Sequence, residues 1–478
     1  MKIFHLSDLH IGLKLLNRDL REDQEYILHQ ITEIARREIP DAVVIAGDIY
    51  DKAVPSAEAV EVFDRFIGEL REAVPEAVIM MISGNHDSAS RVNCFRSVLS
   101  RQKLYMVGQP PRTEEECIEQ VTCTDEYGEV HFYLLPFVKP SMVKGIVGVD
   151  ENGNNLSYEE SIRRLIAREN IDKSARNVLV SHQFYLPASA EKCIDMEESR
   201  ALEDFDSQNF DSQNSAASVS GQSLWTGVER MDSEIQTVGN VDAVSADVID
   251  CFDYAVLGHL HKPMKVGSER IRYCGTPLAC SVSEAGQEKG IVVVELGGKG
   301  MSVSAKNTKD DAESSACGEN ASSTDSERAE IRISTIPLRP LREVRVIRGT
   351  LEKVLQQSCQ DYVTVVLTDK TDLEVIDMQE RLRLAFPNLL EIRRETVRTA
   401  DYDYDYGDGW SADSTPDPYE LCCAFLKDMD DAEKDILRDV IRTVTEASAG
   451  ETLTEPATKS VTEPSSLRSR KLPEGGDL

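Results

Sequence analysis

The chain has 478 residues, 41% of them apolar, with eleven scattered cysteines and a formal net charge of −32. These values allow one large domain or two to three ordinary ones, and they exclude a disulfide-stapled secreted scaffold, so we expect a reduced cytoplasmic protein. No stretch reaches the roughly 18–20 apolar residues of a membrane span, and the N-terminal segment lacks a signal-peptide pattern, so no membrane partner is expected.

Strands and helices alternate along the first 300 residues. Helical spacing predicts helices at 19–38, 56–73 and 158–169. Apolar runs predict strands at 2–8, 42–48, 77–85, 130–135, 177–181, 253–258, 271–274 and 291–296. Because apolar strands alternate with helices, we expect an α/β fold in which helices cover layered sheets.

Three acidic segments interrupt or follow this pattern. Residues 190–250 carry a net charge of −11, residues 306–330 carry −4 and residues 401–478 carry −11. We interpret 191–238, with its repeated DSQN, as a low-complexity insertion and 304–330 as a flexible linker. Since most of the negative charge lies in these segments, the net charge does not exclude a nucleic-acid substrate.

A smaller α+β domain is predicted at 331–400, after the linker. IRISTIPL, REVRVIRG and YVTVVLTD are typical of strands, and 350–357 and 373–386 are typical of helices. An acidic linker at 401–418 precedes apolar residues that recur at helical spacing over 419–446, and the tail at 447–478 is expected to be disordered. The amphipathic helices either pack on their own domain or bind a partner.

Polar residues that could bind metal follow five of the predicted strands. Asp8 and His10 of SDLHIG are two positions apart, so in an extended segment they point to the same side. The other four motifs supply Asp48 (GDIYD), Asn85 and His86 (GNHD), His182 (SHQF), and His259 and His261 (GHLHK). Because ligands bind outside the carboxyl ends of strands in α/β sheets, the five motifs can converge on one site.

These residue types indicate a site for divalent metal ions. Carboxylate, imidazole and amide-oxygen ligands suit ions such as Mn²⁺, and the absence of cysteine from the motifs argues against structural zinc. Seven candidate ligands, counted without His86, exceed what one ion needs, whereas two ions that share a carboxylate leave room for water and substrate. A pair of ions ~3.5–4 Å apart is suited to the hydrolysis of phosphoesters.

Each motif alone has an ordinary interpretation as a turn or a cap, so the prediction depends on their combination. His5, His29 and His131 lie inside predicted strands or helices without a companion motif. We therefore expect these three histidines to be structural.

DLHIG, GDIYD, GNHD, SHQF and GHLHK resemble the five signature motifs of the calcineurin-like metallophosphoesterases. IFHLSDLHIG, GNHDSASR and VLGHLHKP, followed by YCGTPLACSVSEAGQEKGIVVVEL, are similar to the SbcD-type nuclease branch of that family. The resemblance covers residues 1–190 and 238–300. It implies a layered metallophosphoesterase β-sandwich flanked by helices at 1–303, a capping domain at 331–400 and C-terminal helices. The acidic insertion has no obvious counterpart in the family.

The resemblance also implies a role for each motif residue. A first ion would be held by Asp8, His10, Asp48 and His261, and a second by Asp48, Asn85, His182 and His259, with Asp48 bridging. His86 would contact the scissile phosphate or protonate the leaving oxygen as a general acid. Asp87 would orient His86 or hold the following turn, and Asp51 is expected to be structural. The expected cofactors are two Mn²⁺ ions, with Mg²⁺ as the alternative.

A nuclease subunit for DNA repair, recombination and replication is the function that this resemblance implies. It would act on DNA ends and hairpins, as a homodimer within a heterotetramer, with an SbcC-type coiled-coil ATPase bound by 419–446, and it would be nucleoid-associated when bound to DNA. Two alternatives remain open. One is a small-molecule or phosphoprotein metallophosphoesterase, and the other is a non-catalytic scaffold, a class that usually loses metal ligands.

Overall fold

The computed structural model describes residues 1–187, 242–300, 328–369 and 375–395, with helical positions at 434, 437, 438 and 441. The chain divides into two units, Met1–Val397 and Arg398–Leu478, and almost all of the described residues belong to the first. The predicted acidic insertion, acidic linker and tail, and most of the flexible linker and the amphipathic helices, lie outside the described residues. None of the described helices is both long enough and apolar enough to cross a membrane.

Nineteen strands and eight α-helices make up the described part of the chain. The strands are β1 (Lys2–Leu6), β2 (Lys14–Leu15), β3 (Arg18–Asp19), β4 (Ala42–Ala46), β5 (Val78–Ile82), β6 (Leu104–Val107), β7 (Glu119–Asp125), β8 (Gly128–Leu135), β9 (Arg176–Ser181), β10 (Phe184–Leu186), β11 (Ala243–Ser245), β12 (Tyr254–Leu257), β13 (Met264–Val266), β14 (Ser268–Tyr273), β15 (Gly290–Lys299), β16 (Ala329–Pro337), β17 (Val344–Gly349), β18 (Tyr362–Leu367) and β19 (Leu389–Arg394). The α-helices are α1 (Arg21–Glu38), α2 (Ala57–Ala73), α3 (Ala89–Val92), α4 (Arg96–Leu99), α5 (Pro140–Val147), α6 (Tyr158–Ala167), α7 (Leu351–Val354) and α8 (Val375–Ala385).

Two six-stranded mixed sheets form most of the first unit. The first has the order β16-β15-β1-β4-β5-β6, in which β1, β4, β5 and β6 are parallel and β15 and β16 join antiparallel. The second has the order β13-β14-β12-β9-β8-β7, with parallel central strands and an antiparallel strand at each edge. Because the central strands of each sheet are parallel, their carboxyl ends lie at one edge of that sheet.

The two sheets pack face to face through aliphatic side chains. Ile3, Val44 and Ile82 of the first sheet belong to the same buried cluster as Phe132 and Val256 of the second. The alternate residues of the first sheet pack on α1 and α2, and those of the second pack on α5 and α6. This arrangement confirms the predicted α/β architecture of layered sheets flanked by helices.

Helix α2 shows how local sequence sets an element boundary. It begins after Ser56, whose hydroxyl oxygen accepts a hydrogen bond from the Ala59 N–H at 3.3 Å. That contact is an N-cap, and it satisfies one of the free N–H groups of the first turn.

A three-stranded parallel sheet, β17-β18-β19, forms the smaller C-terminal domain. Its own core contains Val363, Val365, Leu382 and Phe386. Strand β16 does not belong to this sheet, because it pairs with β15 in the first one. The domain boundary predicted at 331 therefore falls within a strand of the larger sandwich.

Candidate metal centre

The predicted site residues all follow the carboxyl ends of central strands. Asp8 and His10 follow β1, Asp48 follows β4, Asn85 and His86 follow β5, His182 follows β9, and His259 and His261 follow β12. The two sheets meet at this edge, since the backbone N–H of His259 donates to Asp8 Oδ2 at 3.1 Å. All eight predicted residues are thereby brought together, although they span about half of the chain.

The backbone at this edge is unusually strained. Four of the predicted ligands, Asp8, His10, Asp48 and His259, have positive φ angles of 52°, 43°, 48° and 105°. Residues other than glycine adopt such angles at a free-energy cost, and they do so mainly where surrounding structure holds them. Two hydrogen bonds of 3.0 Å, from Asp8 N to Gly47 O and from His10 N to Asp48 O, lock these loops against each other.

Two glycines allow the loops to approach this closely. A Cβ atom at Gly84 would lie 2.1 Å from Asp48 Oδ1 and 2.4 Å from the Asp48 nitrogen. A Cβ atom at Gly47, where φ is +92°, would lie 2.3 Å from His182 Nδ1. Any side chain at either position would displace a predicted ligand.

Asp48 lies at the centre of the site. Its Oδ2 atom is 3.2 Å from His182 Nε2 and 3.8 Å from His10 Nε2, and its Oδ1 atom accepts the His86 N–H at 2.8 Å. Asp48 thus contacts one residue from each of the two predicted ligand sets. This position fits the bridging role that the family resemblance implies.

The ionisable groups at the site shift one another's pKa values. Burial opposes ionisation of Asp48, but the neighbouring His182, His10 and His86 hold the pKa of its carboxyl well below the usual range. Burial also opposes a charge on His182, yet Asp48 and Asp8 raise the pKa of this histidine to about 9. Without metal, a protonated His182 therefore balances the charge of the Asp48 carboxylate, whereas burial raises the pKa of Asp8.

Two further histidines approach each other on the other side of Asp48. His10 Nε2 lies 3.1 Å from His261 Nε2, and burial lowers the pKa of His10 to about 3. A neutral imidazole is the form that binds metal. Within the described residues His10 Nδ1 is buried and has no hydrogen-bond partner.

Asn85 connects the remaining two histidines. His182 Nε2 and His259 Nδ1 donate to its side-chain oxygen at 2.9 and 2.8 Å. One amide oxygen and two imidazoles thus share a small region beside Asp48. Together with Asp8 and the His10–His261 pair, these groups form a donor set of carboxylates, imidazoles and one amide oxygen, which fits two hard or borderline divalent ions.

His86 is half-buried and lies beside this donor set. Its Nδ1 atom donates to the carbonyl oxygen of Asp51 at 2.9 Å, and its ring meets the ring of His10 edge to face, with centroids 4.9 Å apart. Because Nδ1 is used by the backbone, Nε2 is the nitrogen available for chemistry. His86 thus has the location that a group acting on substrate would need.

Asp87 does not contact His86 through its carboxylate. Its two oxygens accept the N–H groups of Gly84, Ile49 and Tyr50 at 2.9–3.0 Å, which ties the GNHD loop to the GDIYD loop. Burial, together with the charge of Asp48, raises the pKa of Asp87 to about 6. Of the two roles considered for this residue, the contacts favour the structural one.

Sequence reasoning missed three residues at the site. Glu284 Oε1 lies 3.1 Å from His261 Nδ1, and Lys289 Nζ lies 2.6 Å from Glu284 Oε2. The thiol of Cys280 is near His10 and His261, since the three possible ligand atoms lie within 4.8 Å of one another. All three residues come from the GTPLACSVSEAGQEKG stretch, which carries the family resemblance but has no metal-ligand spacing that would reveal their places.

Two family profiles match the chain. The profile of calcineurin-like phosphoesterases matches residues 1–263, which include all seven predicted metal ligands and His86. The profile SbcD_C, described as a type 5 capsule protein repressor C-terminal domain, matches residues 338–420. The second match begins directly after β16, where the chain leaves the first sheet.

Proposed function

The chain belongs to the calcineurin-like phosphoesterase family, and from that premise we propose that it is a metal-dependent DNA nuclease of the SbcD type. We propose two Mn²⁺ ions as cofactors and a phosphodiester of DNA as substrate. The observation that carries the proposal is the convergence of seven ligands and His86 in a chain that also has an SbcD_C domain. The activities proposed are an ATP-dependent double-strand exonuclease and a single-strand and hairpin endonuclease.

The ligands divide into two sets around Asp48. Asp8, His10, Asp48 and His261 would hold the first ion, and Asp48, Asn85, His182 and His259 would hold the second. When bound, two such ions supply Lewis-acid activation and lower the pKa of water. The carboxylates of Asp8 and Asp48 provide the negative charge that holds them, and the strained loops keep both carboxylates in place without reorganisation.

His86 has the role of proton donor in this proposal. The carbonyl of Asp51 takes its Nδ1–H, so the ring can hold a second proton at Nε2 and deliver it to the leaving oxygen. The backbone N–H of His86 donates to Asp48, which fixes the ring relative to the ligand that both sets share. The residue can act on substrate because it is half-buried rather than enclosed.

The C-terminal domain supports DNA as the substrate, because it is fastened next to the metal loops. The Tyr362 hydroxyl and Arg342 Nη1 both donate to Asp23 Oδ2, at 2.7 and 2.8 Å. The neighbouring Gln24 donates to the carbonyl of His10 at 2.7 Å and accepts the Gly12 N–H at 3.0 Å. A second domain in that location can shape a long substrate, which a small-molecule phosphatase does not require.

The proposed protein partner is an SbcC-type coiled-coil ATPase, with a dimer of this chain in the assembly. The basis for this proposal is the amphipathic pattern over 419–446 and the match to the SbcD_C domain. An acidic linker at 401–418 separates that pattern from the smaller domain, which suits a segment that reaches another protein.

Cleavage of end-labelled DNA tests the proposal. A hairpin and a linear duplex are incubated with Mn²⁺, with and without the ATPase partner and ATP, and wild-type protein is compared with His86→Ala. We expect a loss of about 10²–10⁴-fold in rate with an unchanged metal content, because general acid catalysis contributes that much. The control is His29→Ala, since His29 is 65% exposed on α1 and its partner among the described residues is the surface residue Glu69.

Three outcomes would contradict parts of the proposal. Hydrolysis of a small phosphodiester without any cleavage of DNA would assign the chain to the small-molecule phosphoesterases. Full DNA cleavage by His86→Ala would remove this residue from the chemistry. Wild-type protein that neither binds Mn²⁺ nor hydrolyses any phosphoester would support a non-catalytic scaffold.

A further inference from the structure

A buried ion pair lies directly behind His261, in the loop between β14 and β15. Glu284 and Lys289 have side chains that are 0% and 6% exposed, and their charged atoms are 2.6 Å apart. Removing two charges from water is costly unless further hydrogen bonds satisfy the remaining atoms. Both members of this pair also contact His261, which makes the pair a candidate for a role at the first ion site.

The carboxylate of Glu284 is saturated with donors. Its Oε1 atom accepts from His261 Nδ1 at 3.1 Å and from the Cys280 N–H at 3.3 Å. Its Oε2 atom accepts from the Thr276 hydroxyl at 3.0 Å as well as from Lys289. Because Glu284 takes the proton-bearing Nδ1 of His261, the Nε2 lone pair of that ring is directed towards His10, 3.1 Å away.

Lys289 restrains both the backbone and the side chain of His261. Its ammonium group donates to the main-chain carbonyl of His261 at 3.0 Å, to Thr276 Oγ1 at 2.7 Å and to Glu284. The backbone of His261 is thus held directly, and its ring is held through Glu284. A lysine in this position restrains the histidine more tightly than the carboxylate could alone.

We propose that Glu284 and Lys289 are positioning residues that tune the first ion site through His261. A carboxylate that accepts the second N–H of a metal-bound histidine fixes the tautomer and makes the ring a stronger donor. Lys289 keeps that carboxylate in place and neutralises it, so that the buried charge is balanced. The inference rests on the proposed function, because it assumes that His261 binds an ion.

His182 of the second ion site is held differently from His261. His182 Nδ1 donates to the neutral carbonyl oxygen of Ala46 at 2.6 Å, which fixes the ring without adding a charge. A change at Glu284 or Lys289 should therefore weaken one ion and leave the other. Weaker binding of one ion alone would therefore indicate a positioning role, whereas a general loss of structure would weaken the binding of both ions.

Calorimetric titration of metal-free full-length protein with Mn²⁺ tests this inference. The variants are Glu284→Gln, which keeps the shape and removes the charge, Lys289→Met, and the milder Thr276→Val. The control is Lys299→Met, because Lys299 also pairs with a buried carboxylate, Asp253, at 3.1 Å, but on the β15 segment away from the ligands. Thermal unfolding of each metal-free variant is recorded alongside.

Wild-type protein and the control should bind two ions with equal profiles. In Glu284→Gln and Lys289→Met one ion should bind about 10–100-fold more weakly and the other should keep its affinity. Thr276→Val should shift the same ion in the same direction by a smaller factor. DNA cleavage by Glu284→Gln should then need more Mn²⁺ and recover at high Mn²⁺ concentration.

Unchanged binding of both ions in Glu284→Gln and Lys289→Met would overturn the inference. Equal weakening of both ions together with a lower unfolding temperature would also overturn it, because the pair would then be purely structural. If the variants lose one ion selectively but the wild-type protein cleaves no DNA, the proposed nuclease function is refuted and the positioning role of the pair stands. Wild-type protein that binds no Mn²⁺ would overturn both.

Discussion

The phosphoesterase sandwich and the small C-terminal domain differ in whether they contain buried polar residues with a strained backbone. The sandwich holds Asp8, His10, Asp48 and His259 at positive φ and buries their polar side chains. Among the described residues of the smaller domain, none other than glycine has a positive φ. The ion pairs described within it, such as Arg348–Glu395, each include at least one largely exposed side chain.

The sandwich also has positive φ angles at five exposed residues outside the site, in turns and at helix ends: Leu16, Asn17, Ile39, Phe95 and Lys103. The site differs from these positions because its strained residues are buried and polar. Strained loops persist only when the surrounding structure holds them, and here two six-stranded sheets with a shared aliphatic core do so. The smaller domain has no such loops to hold, and its exposed ion pairs add little stability. Sequence changes should therefore affect activity and metal binding in the sandwich, and mainly stability in the smaller domain.

Replacing the central carboxylate should give the largest effect. Asp48→Asn removes the charge that both predicted ion sets share, and we expect a loss of about 10³-fold or more in kcat/KM, because metal stabilisation is worth several kcal/mol and about 1.4 kcal/mol is a factor of ten. The control is Asp361→Asn in the smaller domain, where the carboxylate pairs with the half-exposed Arg345. Equal losses in both variants would break the comparison.

A methyl group added to a glycine should have opposite effects beside the site and away from it. A Cβ at Gly84 meets Asp48, so Gly84→Ala should lower the free energy of unfolding by about 1–3 kcal/mol and also weaken Mn²⁺ binding. Gly68 lies inside α2 with nothing within 4 Å of its would-be Cβ, so Gly68→Ala should stabilise the chain by about 0.5–1 kcal/mol. Urea titration measures both, and a harmless Gly84→Ala would contradict the packing argument.

The convergence of the candidate ligands could be predicted from sequence because of their positions along the chain. Each follows an apolar strand, and parallel strands bring their carboxyl ends to one edge, so convergence follows from the order of elements. The layered α/β architecture followed from alternating apolar strands and helices, whereas the sandwich was implied by the family resemblance. Edge strands such as β6 and β7 were not predicted, because the first is short and the second alternates weakly between apolar and polar residues.

Other features depend on contacts that no local pattern encodes. IRISTIPL is typical of a strand, but its pairing with β15 rather than with the smaller sheet is set by partners elsewhere in the fold. Glu284 and Lys289 lie in an irregular loop, where no periodicity marks a functional residue. They reach His261 only because the chain between β12 and β15 folds back on itself.

A histidine beneath the site makes the sandwich sensitive to acid in a way that the smaller domain cannot be, since all eight histidines precede residue 262. His5 is buried between Tyr254 and the carbonyl of Leu257, and burial lowers its pKa from 6.5 to about 3. Below pH 6.5 the unfolded chain binds a proton that folded His5 excludes, so its contribution to stability is lost as the pH falls.

The variant His5→Gln isolates this effect. It should be less stable than wild type at pH 7.5, and the difference in unfolding free energy should shrink by about 2 kcal/mol between pH 7.5 and pH 5. Urea titrations of both proteins in metal-free buffer at several pH values measure the difference. Parallel curves over that range would mean that His5 is accessible to protons in the folded protein.

The smallest effect is expected where the two regions meet. Tyr362→Phe removes one hydrogen bond to the buried Asp23 and leaves the Arg342 contact intact, so the free energy of unfolding should fall by about 1–2 kcal/mol. Tyr26→Phe on the same helix is the control, since Tyr26 is 43% exposed. If the smaller domain only fastens onto α1, kcat/KM for DNA should stay within about twofold, because the transition state loses none of its contacts. A loss of kcat/KM well beyond twofold would instead show that this joint acts on the His10 loop through Gln24. The sandwich could then no longer be treated as the catalytic region with the smaller domain as its support.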